Sequence, residues 1–393
     1  MSRFLKRVLL AIAKTAVRIA SCFLLPAKNP RISAEKVRRI LVYGQMGIGN
    51  MIMFTPFLKA LRSGFPDSEI TVLLMQRNGS EQVIAQTGMV NDVLIWDYRR
   101  MSYLQRLRAI RRLVKWKPDL IVSKFADYPI DYLIIALLSR PPYRVGHVTG
   151  GDWHGKYDYI NNIPVKMEKD EHEIDRHLDL ARAMGIAVRD KKTFMHVTGE
   201  DELAAGDFLN KNGISEAGTF LTMQIGTSSV QSWKRWSMER WAKLAEMLIE
   251  AGLKIVAVGS SGERKLIEET FARLAVKPVN AAGELTLNQT AALIKRSSLL
   301  VCCDSGLMHV GVAVDTPVVA IYGMGHYKRN APLDKKHVII RKDLPCSPCV
   351  TMEGTAKAEA CRDRICLSRI TVEEVYEAAM KQLDKGLHRI ESK

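Results

Sequence analysis

Short apolar segments that stop at a glycine or an aspartate, each followed by a stretch with helical spacing, recur along most of this chain. Residues 39–43 stop at Gly44, and residues 299–303 stop at Asp304. Uninterrupted runs of Ile, Val and Leu of this length are typical of strands that are buried on both faces. Such strands separated by helices predict parallel sheets covered by helices, the doubly wound α/β class.

The predicted elements fall into two groups along the chain. Strands are predicted at 39–43, 70–75, 92–96, 120–123, 219–225, 254–258, 299–303 and 318–322, and helices at 50–62, 132–138 and 238–250. A chain of 393 residues is long enough for two cores. We therefore predict two Rossmann-like domains facing a cleft, at 38–195 and 215–375. The hinge is predicted among the polar residues at about 190–218, and a C-terminal helix or tail at 376–393.

Positive charge is densest at the N-terminus. Residues 1–40 hold ten basic residues and one acidic residue, a net charge of 10 − 1 = +9 out of +16 for the whole chain. Residues 8–25 are apolar, but Lys14 and Arg18 interrupt them too strongly for a membrane span. We predict that residues 1–30 form a basic amphipathic helix on an anionic membrane surface, with packing against the protein itself as the alternative.

A second basic segment lies between Asp97 and Asp119, where there are eight basic residues and no acidic ones. Its apolar residues with helical spacing are Leu104, Leu107, Ile110 and Val114. The pattern predicts an amphipathic helix with a cationic outer face. That face is either simply solvated or a docking surface for anionic lipid or a phosphorylated acceptor. No nucleic-acid partner is expected, because the sequence lacks a DNA- or RNA-reading motif and aromatic residues suited to stacking.

A glycine-rich turn follows the first predicted strand and contains Gly47, Gly49 and Asn50. Glycines let a backbone approach a ligand closely, and the helix that follows favours an anion or a polar group at its N-terminus. The turn is neither a dinucleotide-binding G-x-G-x-x-G loop nor a P-loop.

Two further polar motifs follow strands of the second group. Thr227 and Ser228 offer hydroxyls to phosphate oxygens, and Lys234 can neutralise a diphosphate. A plain turn with a solvated lysine explains this spacing equally well. The second motif is Asp304-Ser305-Gly306, where backbone N–H groups at a helix start suit a phosphate or sugar hydroxyls, and an ordinary N-cap is the alternative.

Four of the seven cysteines lie close together near the C-terminus, namely Cys346, Cys349, Cys361 and Cys366. Their spacing could hold a tetrahedral zinc ion. Disulfides in an oxidising compartment, or free thiols, are the alternatives. Cys302 and Cys303 lie in a predicted core strand and are expected to act as small apolar residues.

Taken together, these motifs resemble glycosyltransferase family 9, the heptosyltransferase-like enzymes of lipopolysaccharide and surface-polysaccharide synthesis. The resemblance runs from about Arg39 to Leu383. It rests on the ordered blocks ILVYGQMGIGNMIMFTPFLKALRSGFPDSEITVL, YRVG at Tyr143–Gly146, HEIDRHLDLARAMGI from His172, KRWSMERWAKLAEML from Lys234, AAGELTLNQTAALI from Ala281, DSGLMHVGVAVDTPVVAIYG from Asp304, and the cysteine segment ending in Ile370–Val375.

The resemblance implies the GT-B architecture and an inverting, metal-independent transfer of a sugar, such as that of ADP-heptose transferases. The residues implied to bind the nucleotide-diphospho-sugar donor are Thr227, Ser228, Lys234, Glu263, Asp304, Ser305 and Gly306. Gly47, Gly49 and Asn50 are implied to bind the acceptor. No cofactor is expected for catalysis, and zinc would be structural only.

One residue departs from the family pattern. Members typically have Gly-Asp where this chain has Gly49-Asn50, and that acid is the expected general base. An amide cannot take a proton at neutral pH. Three accounts stay open: Asp127 is the base while Asn50 orients the acceptor, or the acceptor's own phosphate or carboxylate takes the proton, or the protein binds sugars without transferring them.

We therefore expect a glycosyltransferase with Lys234, Asn50 and Asp127 at its reaction centre. Its expected partners are a nucleotide-diphospho-sugar, a lipopolysaccharide-type or lipid-linked saccharide, and an anionic membrane surface. The expected location is cytoplasmic, peripheral at the inner face of the bacterial cytoplasmic membrane. A GT-B nucleotide-sugar epimerase and a non-catalytic sugar-binding homologue are the alternatives.

Overall fold

The computed structural model describes residues 15, 19, 25, 30–44, 47–76, 79–97, 100–124, 130–148, 155–215, 219–227, 229–351 and 354–391. The chain forms two compact units. The first comprises Met1–Gly47 with Phe54–Lys192, and the second comprises Ile48–Met53 with Thr193–Lys393. The predicted N-terminal helix at 1–30 lies almost wholly outside the described residues.

The first unit contains a six-stranded parallel sheet. Its strands are β1 (Arg39–Gly44), β2 (Glu69–Leu74), β3 (Asp92–Ile95), β4 (Leu120–Ser123), β5 (Tyr143–Val148) and β6 (Ile163–Lys166). The helices that follow β1 and its neighbours are α1 (Ile48–Gly64), α2 (Ser80–Ile84), α3 (Tyr103–Trp116), α4 (Ile130–Ser139) and α5 (Glu173–Ala183). The strand order is β3-β2-β1-β4-β5-β6, so the chain runs from β1 to one edge and then returns to β4 on the other side of β1.

The second unit repeats this plan. Its strands are β7 (Phe220–Gln224), β8 (Lys254–Ala257), β9 (Val279–Asn280), β10 (Leu299–Cys303), β11 (Val318–Ile321) and β12 (Val338–Ile340). Its helices are α6 (Gly199–Lys211), α7 (Met238–Glu250), α8 (Arg264–Phe271), α9 (Leu287–Arg296), α10 (Gly306–Ala313), α11 (Tyr327–Asn330), α12 (Ala356–Ala360), α13 (Ile365–Ser368) and α14 (Val372–Glu391). The strand order β12-β11-β10-β7-β8-β9 places the reversal between β7 and β10.

The two sheets confirm the predicted fold class, because the described strands pair in parallel and the central strands are buried except for Arg39 at the start of β1. In an open α/β sheet, the loops beyond the carboxyl ends of the two strands at a reversal diverge and leave a crevice for a ligand. The fold therefore marks two such positions. One lies after β1 and β4 in the first unit, and the other after β7 and β10 in the second.

Helices occupy parts of the predicted hinge region and tail. The boundary between the two units falls between Lys192 and Thr193, inside the stretch at about 190–218 where the hinge is predicted. Residues 199–211 of the polar stretch form α6, which begins with a capping box between Thr198 and Asp201. Glu202 of α6 then forms ion pairs of 2.8 and 3.0 Å with Lys295 and Arg296 of α9, so α6 is part of the second unit. The C-terminal helix α14 begins at Val372 and packs against α7, β10 and β11 as part of the same core.

The basic helix also differs from its prediction. Ile110 is buried and Val114 packs against the core, as the spacing predicts. Leu104 and Leu107, however, are 63% and 44% exposed, so the apolar residues of the first two turns face solvent. The assignment of these two leucines to the buried face was wrong, because Arg106 turns inward instead to bind Asp131 of α4.

Candidate functional site

The site in the second unit lies at the reversal between β7 and β10. Gln224 ends β7, and its side-chain amide donates to the backbone carbonyl of Gly226. The same side chain accepts a hydrogen bond of 2.8 Å from the hydroxyl of Ser305, two residues beyond the end of β10. This contact ties together the segments that follow the two strands, at the position where the sheet topology places a ligand.

An ion pair between Lys234 and Asp304 lies at this position. Lys234 ends the 3-10 turn Ser229–Lys234, and Asp304 directly follows β10. The ammonium nitrogen is 2.9 Å from Asp304 Oδ2, and the two side chains are only 12% and 4% exposed. A Cβ at Gly325 would lie 2.1 Å from the same carboxylate oxygen, so glycine is needed there for Asp304 to occupy its place.

Arg235 is a second cation of the site, and the sequence reasoning missed it. Its guanidinium donates to the carbonyl oxygen of Thr227 at 2.8 Å and to the Thr227 hydroxyl oxygen at 3.3 Å. The Thr227 hydroxyl itself donates to the carbonyl of Gln231 at 3.0 Å. Thr227 therefore holds the loop and its arginine in place. The consecutive Lys234-Arg235 pair after a hydroxyl-rich turn was the available signal. Ser228 lies outside the described residues.

Glu263 lies against two glycines that follow strands of this sheet. It ends a 3-10 turn after β8, and its Oε2 accepts hydrogen bonds of 2.7 Å from the backbone N–H and the hydroxyl of Ser260. A Cβ at Gly226 would lie 2.0 Å from Glu263 Oε1, and one at Gly259 would lie 3.1 Å from Oε2. The carboxylate is thus held beside the ends of β7 and β8, where it can accept hydrogen bonds from paired hydroxyls.

Helix α10 begins at the same place. Ser305 is its N-cap residue, but the Ser305 side chain makes no capping hydrogen bond because it binds Gln224 instead. Gly306 is the first helical residue. The Ser305 side chain thus caps none of the N–H groups of the first turn, and the positive end of the helix dipole there favours an anion. The site therefore combines two fixed cations, backbone donors and one carboxylate set to the side.

The core strand behind Asp304 is chemically inert, as predicted. Cys302 and Cys303 are fully buried. Burial raises the pKa of Cys303 to about 12 and that of Cys302 well above its usual range. Neither thiol ionises near neutral pH, so neither is a nucleophile.

The predicted acceptor residues lie at the start of α1. Gly47 is the exposed N-cap residue of this helix, and Asn50 is exposed in its first turn. Asp127, the proposed alternative base, lies outside the described residues, so its distance to Asn50 stays a prediction.

A buried polar cluster in the first unit was also missed. Its members are Lys124, His147, Glu173, Arg176 and His177, and all five belong to the residues buried from solvent. Lys124 directly follows β4, and its backbone N–H donates to the carbonyl of Tyr43 in β1. Burial, and then Arg176, lower the pKa of His147 to about 4. The charges within the block HEIDRHLDL were visible in the sequence, but their burial was not.

The four late cysteines carry free thiols, and Cys366 is buried while Cys346 is exposed. Burial first, and then the neighbouring thiols of Cys349, Cys346 and Cys361, raise the pKa of Cys366 to about 11. Among the described residues, no three His, Cys, Asp or Glu side chains are arranged to hold a metal ion. Structural zinc therefore stays a prediction. If it is correct, the purified protein holds one zinc per chain, and Cys366→Ser loses it, as metal analysis would measure.

The chain was compared with known proteins. The family model of glycosyltransferase family 9 (heptosyltransferase) matches residues 136–359, more than half of the chain. The lipopolysaccharide heptosyltransferase 2 of Salmonella typhimurium is 27% identical over 329 residues, covering 77% of this chain and 88% of that protein. The lipooligosaccharide heptosyltransferase 2 of Haemophilus ducreyi is 27% identical over 319 residues, with the same coverage of both chains.

Solved structures show the same fold. The glycosyl transferase family 9 protein from Veillonella parvula superposes with a TM-score of 0.71 at 22% identity, covering 91% of this chain and all of that one. The E. coli ADP-heptose heptosyltransferase II gives a TM-score of 0.69 at 23% identity, covering 88% and 99%. The fold is thus the two-domain α/β fold of GT-B heptosyltransferases. The chain belongs to glycosyltransferase family 9 and is a glycosyltransferase.

Proposed function

We propose that this enzyme transfers a heptose from a nucleoside-diphosphate sugar to a lipopolysaccharide-type or lipid-linked saccharide. The proposed reaction inverts the anomeric carbon and needs no divalent metal ion. The relatives that cover 77% of this chain are named as heptosyltransferases of lipopolysaccharide and lipooligosaccharide, which supports the sugar and the acceptor class. The observation that carries the proposal is the buried Lys234–Asp304 ion pair at the reversal of the second sheet.

In the proposed step, an acceptor hydroxyl oxygen attacks the anomeric carbon from the face opposite the diphosphate. The bond between that carbon and the diphosphate oxygen breaks, and its electron pair leaves with the nucleoside diphosphate. Negative charge therefore grows on the leaving group. Lys234, Arg235 and the N–H groups at the start of α10 are donors already fixed around that position. Preorganised donors of this kind stabilise developing charge without reorganisation.

We also propose separate roles for the two carboxylates of the site. Asp304 holds Lys234 in place before the donor arrives, and the ammonium group then shares its hydrogen bonds with the diphosphate. Glu263 accepts hydrogen bonds from the ribose hydroxyls, since its carboxylate is held beside the strand ends by Ser260 and the close approach of Gly226.

The proton of the acceptor hydroxyl needs a base that Asn50 cannot supply. We propose Asp127, which comes four residues after the end of β4 in the sequence, with Asn50 orienting the acceptor by hydrogen bonds. The position after β4 favours this assignment, because the segments after β1 and β4 share one end of a parallel sheet.

The test is nucleoside-diphosphate release from ADP-, UDP- and GDP-heptose, with and without acceptor extracted from a lipopolysaccharide-producing cell. Acceptor-dependent release from one donor, with the product's anomeric configuration opposite to that of the donor, is the expected result. It should persist in the presence of a chelator. Conversion of the donor without acceptor would instead support an epimerase, and donor binding without release would support a non-catalytic protein. We place the reaction at the inner face of the cytoplasmic membrane, where a lipid-linked acceptor and a cytoplasmic sugar nucleotide meet.

A further inference from the structure

Helix α3 (Tyr103–Trp116) presents an unusual outer surface. Its inner side packs on the first unit through Ile110 and Leu113, which are 8% and 3% exposed. Its outer side carries three large apolar side chains, because Tyr103 is 73%, Leu104 63% and Leu107 44% exposed. The basic residues that are exposed beside them are Arg108, Arg111, Arg112 and Lys115. We call these seven residues the α3 face.

The α3 face forms a continuous stripe. Leu104, Arg108, Arg111 and Lys115 follow one another at helical spacings of four, three and four residues, and Tyr103 and Leu107 run beside them. The two apolar turns therefore lie at the N-terminal end of the stripe, and the cations fill the C-terminal part. A capping box between Ser102 and Gln105 fixes the beginning of the helix, so the exposed leucines belong to regular helix.

The cations of this face are not neutralised within the described part of the chain. Arg106 is bound by Asp131, and Arg100 lies 3.6 Å from Asp97. Asp119, at the far end, accepts hydrogen bonds from the backbone N–H groups of Arg38 and Arg39. None of the ion pairs between described residues involves the four basic residues of the α3 face. The carboxylates nearest in sequence are thus already engaged, and four positive charges remain for an external partner.

We propose that the α3 face docks the enzyme on an anionic phospholipid bilayer. The cations would lie against headgroup phosphates, while Tyr103, Leu104 and Leu107 would enter the headgroup–acyl boundary. Charge complementarity selects the anionic surface, and the exposed aliphatic side chains select a bilayer over a purely polar polyanion, which offers them nothing to bury in. Among the described residues no helix is long and apolar enough to span a bilayer, so this face would act by interfacial contact.

This inference does not depend on which sugar is transferred. A binding measurement tests it, whereas the proposed function is tested by turnover on soluble substrates, so failure of one can be told from failure of the other.

The experiment is co-sedimentation of the full chain with vesicles of phosphatidylcholine alone or with about one third phosphatidylglycerol, at about 0.1 M and roughly 0.5 M salt. The test variant combines Arg108→Gln, Arg111→Gln, Arg112→Gln and Lys115→Gln. The control variant removes the same charge from exposed residues of the second unit, Lys211→Gln, Arg273→Gln, Lys277→Gln and Lys335→Gln. A second test variant is Leu104→Ser with Leu107→Ser.

At the lower salt concentration, we expect the wild type to bind the anionic vesicles and not the vesicles of phosphatidylcholine alone. Each basic side chain near such a surface contributes about a fivefold gain in partitioning, so the quadruple test variant should bind about 600-fold more weakly. The vesicle affinity of the control variant should fall by less than about fivefold. The double serine variant should bind the anionic vesicles about tenfold more weakly. Because the lost contacts are apolar, this loss should depend little on the salt concentration.

Equal vesicle binding by the test and control variants, with both folded by circular dichroism, would overturn the proposal. So would retention of vesicle binding by the quadruple variant together with loss of its affinity for a single-stranded or duplex oligonucleotide, which would make the face a nucleic-acid surface. Loss of turnover on a water-soluble phosphorylated acceptor in the quadruple variant, with vesicle binding intact, would assign the face to acceptor recognition and likewise overturn it.

Discussion

The two units share one strand order, and each contains a buried ion pair, but the pairs are built in different ways. In the first unit, Glu173 and Arg176 are three residues apart on α5, 2.8 Å from each other, and they are buried together with a neutral His147. In the second unit, Lys234 and Asp304 come from separate segments that follow β7 and β10. Both partners of the first pair belong to one helix, whereas the second pair joins two segments at the strand-order reversal of its sheet.

The difference shows how one scaffold serves two purposes. A pair formed within a helix satisfies its own charges and helps to specify how α5 packs, so it needs no ligand. A pair formed across the reversal exists only when the sheet is assembled, and its cation lies at the kind of crevice where open α/β sheets bind ligands. Chemistry on this fold therefore depends on which residues follow β7 and β10 rather than on the sheet itself. The predictions below test this assignment of a structural role to the first pair and a catalytic role to the second.

The largest expected effect is on stability and falls in the first unit. Arg176→Met leaves the buried Glu173 carboxylate without its cation, which should lower the free energy of unfolding by about 3–5 kcal/mol. Arg182→Met is the matched control, because Arg182 pairs with Asp179 at the same spacing on the same helix but is 46% exposed. Its loss should cost at most about 1 kcal/mol.

Hydrogen exchange of peptides from the first sheet during urea titration would measure both variants, since it reports this unit separately. Equal destabilisation by the two substitutions would show that burial does not distinguish the pairs. A change in donor affinity in Arg176→Met, with stability intact, would show that the first pair is not structural.

The next largest effect is on turnover and falls in the second unit. Lys234→Ala removes a fixed donor from the leaving diphosphate, and kcat should fall by about 10²–10³-fold. The substitution also leaves Asp304 buried and unpaired, so stability should fall as well. The double variant Lys234→Ala with Asp304→Asn removes both charges; it should recover stability but not turnover. Lys277→Ala, at an exposed lysine of the same unit, is the control.

Single-turnover release of nucleoside diphosphate, measured on protein shown to be folded, separates these effects. If the double variant recovers turnover together with stability, Lys234 is only a structural partner of Asp304. Both ion pairs would then have a structural role alone.

A smaller effect is expected from the proposed base. Asp127→Asn should lower kcat by about 10²-fold at neutral pH, because a positioned base contributes about 10²–10⁴-fold. Donor binding should not change, since the proposed donor residues belong to the second unit. The measurement is the pH profile of acceptor-dependent release: the wild type should lose activity on the acid side as a carboxylate is protonated, and the variant should lack that limb. An unchanged profile in Asp127→Asn would leave the acceptor's own anionic group as the base.

The sequence predicts the framework more completely than the site. Uninterrupted runs such as Leu299–Cys303 and Leu120–Ser123 were predicted to the residue, because both faces of those strands are buried. Strand β5 was missed because it carries Arg144 and His147, which are 2% and 0% exposed. Arg144 donates to the carbonyls of Ile160 and Pro141 at 2.7 Å each, and these hydrogen bonds offset part of the desolvation that lowers its pKa to about 10. Backbone carbonyls outside the strands, such as these two, leave no periodic pattern in the sequence from which their bonding to a buried arginine could be predicted.

Spacing along the chain placed Lys234 in the segment after β7 and Asp304 directly after β10, but it could not show that they form an ion pair. That contact depends on the strand order, which puts β10 beside β7 although two strands separate them in sequence. The absence of a side chain at Gly325, needed for Asp304 to fit, was equally invisible, because a lone glycine after a strand predicts only a turn.

The smallest expected effect concerns Glu263, and it sharpens the comparison within the second unit. The carboxylate is held beside the strand ends by Ser260 and lies against Gly226 and Gly259. It is not a partner in the Lys234–Asp304 ion pair that is proposed to meet the diphosphate. Glu263→Gln keeps the shape of the side chain and an oxygen that accepts the Ser260 hydrogen bonds, but it removes the negative charge. The donor KM should therefore rise about tenfold while kcat changes little. This is the result expected when a charge-assisted hydrogen bond that is equally strong in the ground state and the transition state is lost. Glu269→Gln, an exposed carboxylate of the same unit, is the matched control and should leave both constants unchanged. Steady-state kinetics with donor and acceptor varied in turn would test this role. A rise in the acceptor KM, or a fall in kcat equal to that of Lys234→Ala, would instead place Glu263 at the reacting centre and contradict the proposed division between ribose binding and stabilisation of the leaving group.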